Sequence, residues 1–219
     1  MSGDSGIYSS LITFKLKRLV PTSLRRWREV LASLKPEERR VLLRTAIGAT
    51  LRPRRRDWRE VMQRGTNFVM VCHGNIIRSP LAAAALAREA ASRGRTVQLS
   101  SAGLSARPGE PADPRALESS RARGLPIEAH RSRLLGVSQV WAADAIFVMD
   151  HYNLGRIISR FPEAAQRVFL LGGCQPDGSM TLTEIHDPVS GSLADVEIAH
   201  DEVIAAVRVL AEAWDTSPG

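Results

Sequence analysis

The stretch from Phe68 to Ala91 constrains the fold more than any other part of the chain. Phe68-Val69-Met70-Val71 is a short apolar run without a polar break, the pattern of a strand buried on both faces. The segment Cys72-His73-Gly74-Asn75-Ile76-Ile77-Arg78-Ser79-Pro80 then leads into Leu81 to Ala91, an alanine-rich helix former. The same alternation continues downstream. A second strand fits Thr96 to Ser101, and Asp113-Pro114-Arg115-Ala116 reads as an N-cap with proline at the first helical position, the helix stopping at Gly124. Ala145-Ile146-Phe147-Val148-Met149 and Val168-Phe169-Leu170-Leu171 supply two more buried strands. A final helix fits Ala194 to Trp214, with Val196, Ile198, Val203, Val207, Leu210 and Trp214 as core candidates. Strands separated by helices lead to an α/β fold: a four-stranded parallel, doubly wound sheet flanked by helices, with the ligand site at the C-terminal strand ends.

Charge divides the chain. Residues 1–65 carry 16 Lys or Arg against 6 Asp or Glu, a net of +10, whereas residues 66–219 carry 14 against 17, a net of −3. The expected organisation is therefore a basic helical N-terminal extension, 1–65, attached near Gly65-Thr66 to a nearly neutral domain, 66–219. Within the extension, Leu24, Trp27, Val30, Leu31 and Leu34 recur at helical spacing, with Arg25, Arg26 and Arg28 on other faces. Pro36-Glu37-Glu38 opens a second helix continued by Val41, Leu42, Ala46 and Ile47 and ending near Gly48 to Leu51. Arg52-Pro53-Arg54-Arg55-Arg56 is an exposed basic elbow, followed by a short helical stretch through Trp58 and Val61. The extension reads either as a helical cap whose charges face water or as a surface for an anionic membrane or an acidic partner; nucleic acid is the weaker reading.

Several classes are excluded. The chain is too long for a disulfide-stapled miniprotein, and 44% hydrophobic with 24% charged residues is globular composition. No window approaches the roughly 18 apolar residues of a membrane span. Met1-Ser2-Gly3-Asp4 with Lys15, Lys17 and Arg18 lacks a signal-peptide core, so the expected location is the cytoplasm, with peripheral membrane association through the extension. Cys72 and Cys174 form neither a CxxC pair nor part of a zinc quartet, which leaves each cysteine to be judged alone.

Cys72 stands at the end of the first strand, beneath a helix N-terminus. Five residues between Cys72 and Arg78 let the backbone N–H groups of His73, Gly74, Asn75, Ile76, Ile77, Arg78 and Ser79 converge on one point, where the helix dipole adds positive charge. That point suits a phosphate. The same field should lower the thiol pKa of Cys72 and make it a nucleophile, while the planar Arg78 guanidinium clamps two phosphate oxygens. Gly74 and Asn75 suit positive φ, and Ser79 can donate its hydroxyl to the sulfur. The competing reading is a buried structural cysteine before an ordinary helix. An acid to protonate the leaving oxygen is best sought at Asp187-Pro188, after the fourth strand and before the last helix, although an Asp-Pro taken alone reads as a turn.

Four separated stretches, Cys72 to Pro80, Ser101-Ala102-Gly103 with Gly109 to Ala116, His130 to Arg133 with Met149-Asp150 and Asn153-Leu154, and Asp187-Pro188 with Gly191, resemble the low-molecular-weight protein tyrosine phosphatase family. The resemblance covers nearly all of residues 66–219. It implies a four-stranded parallel sheet and hydrolysis of phosphate monoesters through a phosphocysteine, with neither metal nor other cofactor. Asp187 would serve as acid and then base, and Asn75, Ser79, Ser101 and His130 would fix the phosphate loop. The implied partner is a phosphotyrosyl protein, such as a tyrosine kinase.

Departures from the family pattern bear on specificity. Ile77 stands where a second cysteine is common, which removes a vicinal disulfide and leaves Cys174 as the other thiol. Arg107 replaces a usual tryptophan, and Val189-Ser190 follows the Asp-Pro instead of aromatics, so a wider, more basic cleft is expected. Arsenate reductases share the loop but need further cysteines on a mobile segment. Protein arginine phosphatases carry a small polar residue at the position of Ile76. From another class, a non-catalytic phosphoprotein-binding module would not need Asp187.

Overall fold

The computed structural model describes residues 22–41, 43 and 56–216. Its centre is a four-stranded sheet of β1 (Asn67–Cys72), β2 (Gln98–Gly103), β3 (Ala145–Val148) and β4 (Val168–Leu170), all parallel in the order β2-β1-β3-β4. Each strand bears out an apolar run of the sequence within two residues at either end. Alternation along the strands splits the core into two layers. Phe68, Met70, Phe147 and Phe169 face α3 (Arg78–Ser92) and α7 (Leu193–Glu212), packing with Leu81, Ala85, Leu86, Val203, Val207 and Leu210. Val69, Val71, Ile146, Val148, Val168 and Leu170 face the opposite way, onto Val140 of α5 (Val137–Ala142) and Leu154 and Ile157 of α6 (His151–Arg160). The sheet is doubly wound.

The helix of α4 (Pro114–Ala122) starts as its sequence signals require: the Asp113 side chain accepts from Arg115 N–H, proline follows, and Gly124 reverses the chain at φ +62°. α7 is closed by a capping box in which Ser192 and Asp195 exchange hydrogen bonds. Its core candidates are buried except Ile198, which is 55% exposed because it lies one residue off the stripe of Val196, Val203, Val207 and Leu210, and Trp214, which is half-buried. Helices α5 and α6 were not anticipated from the sequence.

Three N-terminal stretches are helical among the described residues. α1 (Thr22–Ser33) presents Val30, buried with Leu34, and the half-buried Trp27 and Leu31 toward Ile158 of α6. Residues 36–41 are helical, Val41 being half-buried. The side chains of Leu24, Arg25 and Arg26, together with Leu42, Ala46, Ile47 and the stretch from Gly48 through Arg55, lie outside the described residues; Arg56 is exposed. α2 (Trp58–Arg64) precedes the boundary expected near Gly65, yet Trp58 and Met62 are buried in the same core as β1 and α7. Trp58 Nε1–H donates to the Gly178 carbonyl at 3.1 Å, and Trp214 Nε1–H to the Met62 carbonyl at 2.7 Å. Apolar burial and these two indole bonds thus carry the folded unit back to Trp58, whatever the change in charge at residue 65. Among the described residues, no helix is long and apolar enough to cross a membrane.

Candidate active site

β1 delivers Cys72 to the C-terminal edge of the sheet, directly opposite Gly103 of β2. The loop that follows enters α3 without a side-chain cap: Ile77 occupies the N-cap and makes no such bond, so the first N–H groups of the helix remain available to an anion. Asn75 has φ +56°. Gly74, the other residue expected at positive φ, does not adopt it; one left-handed residue suffices for the turn, because the short Asn75 side chain ties the loop down from within.

Asn75 is the hub. Its Nδ2 donates to Ser79 Oγ and to Ser101 Oγ, both at 2.9 Å, its Oδ1 accepts from Arg133 N–H at 2.8 Å, and its carbonyl accepts from His130 Nε2–H at 2.7 Å. The pairing with a backbone N–H fixes the amide orientation. Burial, countered by the bond to Asn75, holds the His130 pKa below its usual value and favours the neutral ring. Asn75 N–H lies 3.2 Å from Cys72 Sγ, and Ser79 Oγ lies 3.0 Å from the same sulfur. Since Ser79 Oγ already accepts from Asn75, its own hydrogen is free for the sulfur. The four expected network residues, Asn75, Ser79, Ser101 and His130, therefore meet around Cys72.

Arg78 begins α3 and is 2% exposed. Its Nη1 lies 2.8 Å from Asp150 Oδ2 and donates to the Ile185 carbonyl at 3.2 Å; its Nη2 lies 2.8 Å from Asp187 Oδ2. Burial opposes the charge, but Cys72, Asp150 and Asp187 more than offset it and raise the Arg78 pKa. Asp187 itself is 41% exposed, open toward an incoming group. It reaches the site because Ile185 N–H bonds to the Met149 carbonyl at 2.8 Å, folding the loop before α7 back over the end of β3.

Asp150 was missed as a site residue by sequence reasoning, although Met149-Asp150 was among the stretches carrying the resemblance. Its signal was position: the first carboxylate after a buried strand, at the N-cap of the next helix. Tyr152 was missed as well. Its ring stands 5.7 Å from that of His73, and both line a cleft of about 400 Å³ with Asp150, Asp187, Glu29, Val30 and Ser33. Ile77 is buried against Ala112, Ala116, Ile127 and Val196, with Ile76 packed beside them, so these two residues can serve an anion only through their N–H groups. Arg107 stays in solvent beside Glu110, and Val189 is exposed. The Cys174 side chain is buried, with its Sγ 3.5 Å from the Leu170 carbonyl.

Comparison with known proteins gives a consistent picture. A family model described as "Low molecular weight phosphotyrosine protein phosphatase" matches residues 67–217. The "Probable low molecular weight protein-tyrosine-phosphatase EpsP" of Ralstonia nicotianae is 36% identical over 147 residues, covering 67% of this chain and 92% of the relative. The "Protein-arginine-phosphatase" of Geobacillus stearothermophilus is 32% identical over 149 residues, covering 68% and 96%. Among solved structures, a mutant of YwlE from Bacillus subtilis superposes with a TM-score of 0.64 at 28% identity, covering 69% of this chain and all of that one.

Proposed function

Because the chain belongs to the low molecular weight phosphotyrosine protein phosphatase family, we propose that it hydrolyses phosphate monoesters of proteins, foremost phosphotyrosine, without metal and through a phosphocysteine on Cys72. The observation that carries this reading is the Cys72 sulfur held between Asn75 N–H and Ser79 O–H beneath an uncapped helix, with Arg78 joined to Asp187 at 2.8 Å. Two donors and a buried cation facing one sulfur are the surroundings a thiolate needs.

The chemistry follows. The phosphoryl oxygens sit on the loop N–H groups from His73 to Ser79 and on the Arg78 guanidinium. Cys72 Sγ attacks phosphorus in line, the P–O bond to the tyrosyl oxygen breaks, and Asp187 gives that oxygen its proton. Asp187, now ionised, takes a proton from water as the water attacks the phosphocysteine. The S–P bond breaks, Ser79 O–H supports the departing sulfur, and inorganic phosphate leaves. Asp150 holds Arg78 in register, while Asn75, Ser101 and His130 keep the loop open between turnovers.

The His73–Tyr152 pair supports an aromatic phosphoryl carrier over the phosphoarginine of the arginine phosphatase relatives. In the same reading, the excess positive charge of residues 1–65 brings the cytoplasmic enzyme to an anionic membrane or an acidic partner, a tyrosine kinase among them. Co-sedimentation with anionic vesicles is the check: no binding at low salt, or binding unchanged when residues 1–65 are deleted, would contradict the membrane version.

The deciding experiment is phosphate release from p-nitrophenyl phosphate near pH 6 with chelator present. We expect turnover in the native protein, its abolition by Cys72→Ser, and a loss of about 10²- to 10⁴-fold for Asp187→Asn with phosphate binding retained. Reduced, folded protein without turnover would sink the proposal.

A further inference from the structure

The loop that bears Asp187 is tied at its root by the three residues before it. Glu184 Oε1 accepts from the backbone N–H of His151 at 2.7 Å and from its Nδ1–H at 2.8 Å. Ile185 N–H donates to the Met149 carbonyl at 2.8 Å, and His186 N–H donates to Glu202 Oε2 of α7 at 2.8 Å. The first of these ties runs to the opening residue of α6, directly after Asp150. A carboxylate only accepts, so His151 Nδ1 carries its hydrogen. His151 is 2% exposed, and its Nε2 has no hydrogen-bond partner among the described residues. Beyond the Nδ1 bond, then, packing is what keeps this ring aimed at Glu184.

Part of that packing comes from outside the family match, which begins at residue 67. Trp27 of α1 stands across the His151 ring at 71°, with centroids 5.4 Å apart. α1 is seated there by two further contacts on α6: Val30 and Leu34 bury against Ile158, and Glu38, beyond the helix, stands 3.9 Å from Arg156. Touching groups thus lead from α1 through His151 and Glu184 to within three residues of Asp187. Asp187 needs a fixed root. Its carboxylate rests 2.8 Å from Arg78 Nη2, and a group that must turn from the guanidinium to the leaving oxygen keeps its aim only if the backbone beneath it holds still.

We propose that His151 and Trp27 are positioning residues for the general acid: His151 fastens the Asp187 loop through Glu184, and Trp27 braces His151, so that the N-terminal helix takes part in the acid step. This rests on the phosphatase reading above, with Asp187 as the acid. Both residues act through Asp187. A misplaced carboxylate slows P–O cleavage most where the leaving oxygen is strongly basic, and least where it departs readily as an anion. Aryl esters of different basicity give the same phosphocysteine, so a difference between them in kcat/KM arises before that intermediate is hydrolysed.

The test uses the full chain with phenyl phosphate, whose oxygen needs a proton to leave, and p-nitrophenyl phosphate, whose oxygen needs it far less. The readout is the ratio of kcat/KM for the first ester to that for the second, in which a general loss of active protein cancels. His151→Phe keeps an aromatic ring beside Trp27 and removes the donor to Glu184; Trp27→Ala removes the brace. We expect Asp187→Asn to lower the ratio most, His151→Phe and Trp27→Ala each to lower it about three- to tenfold, and Trp27→Phe to hold it within about twofold of native. In an Asp187→Asn background, His151→Phe and Trp27→Ala should produce no further fall, because their route runs through that carboxylate. A ratio within about twofold of native for either variant, or a further fall in the Asp187→Asn background, would overturn the positioning role of that residue and leave the phosphatase reading standing. A ratio that Asp187→Asn does not change would overturn the acid assignment and both positioning roles. No turnover of p-nitrophenyl phosphate by the native, reduced protein would overturn the phosphatase reading itself.

Discussion

The Asp150 carboxylate divides its two oxygens between two tasks: Oδ2 faces Arg78 Nη1 at 2.8 Å, and Oδ1 accepts from Asn153 N–H at 2.7 Å to cap α6. A guanidinium that is 2% exposed needs such a partner, because a buried charge left short of its counter-charge is destabilising. Replacing Asp150 with Asn keeps the cap acceptor and removes the charge. The expected outcome is a loss of about 1–3 kcal/mol in unfolding free energy by urea titration and a fall of roughly 10- to 100-fold in kcat for an aryl phosphate. Cys72 and Arg78 were legible because their spacing puts both on one loop between a strand and a helix, and Asp187 only because that loop calls for an acid elsewhere at the strand ends. Asp150 was not, because an Asp before a helix reads as a cap, and its second oxygen acquires a role only once β3 is paired beside β1.

Among the elements, the junction of β2 with the phosphate loop leaves no room for a side chain. A Cβ on Gly103 would stand 2.7 Å from the His73 carbonyl, 2.8 Å from Ala106 Cβ and 3.0 Å from Asn75 N. Gly103→Ala must push the loop away from β2, and the Asn75–Ser101 bond at 2.9 Å lies in the path of that movement. We expect about 1–3 kcal/mol of destabilisation, with kcat falling more than KM rises; a native urea midpoint with native kinetics would contradict this. The four strands were legible because runs such as Ala145 to Val148 are apolar on both faces. α6 was hidden for the opposite reason. Its apolar stripe of Leu154, Ile157 and Phe161 is short and shares the buried face with His151, Asn153, Gly155 and Ser159, a polar and flexible set that obscures it in the sequence. The polar half of that face is what the site uses, since His151 anchors the Asp187 loop through Glu184.

For the molecule as a whole, acid acts on the fold through a buried histidine of α7. His200 on α7 is fully buried, bonded through Nδ1 to Ser119 Oγ at 2.9 Å, and burial pushes its pKa from 6.5 down to about 4. The unfolded chain takes up a proton at this residue near pH 6.5 and the folded chain only near pH 4, so its contribution to stability is complete above pH 6.5 and is lost as pH falls toward 4. The slope should be at most about 1.4 kcal/mol per pH unit. Urea midpoints between pH 4.5 and 7 for native protein and His200→Gln check it: the variant should show the shallower pH dependence. The division of the chain by charge at residue 65 does not coincide with its division by packing, because charge is read along the chain, whereas Trp58 and Met62 find partners at Gly178 and Trp214, more than a hundred residues away.

One consequence of the Arg78 contacts concerns what an arriving phosphate must do. The Nη2 edge is already held by Asp187, so the resting pocket is occupied by an anion of its own, and a dianion enters by eviction rather than by filling an empty seat. The exchange keeps the buried guanidinium partnered at every stage and screens out weak anions, which cannot outcompete a tethered carboxylate. It also sets the evicted carboxylate loose beside the bond about to break, where, once it has taken up a proton, it can serve the leaving oxygen as the proposed acid.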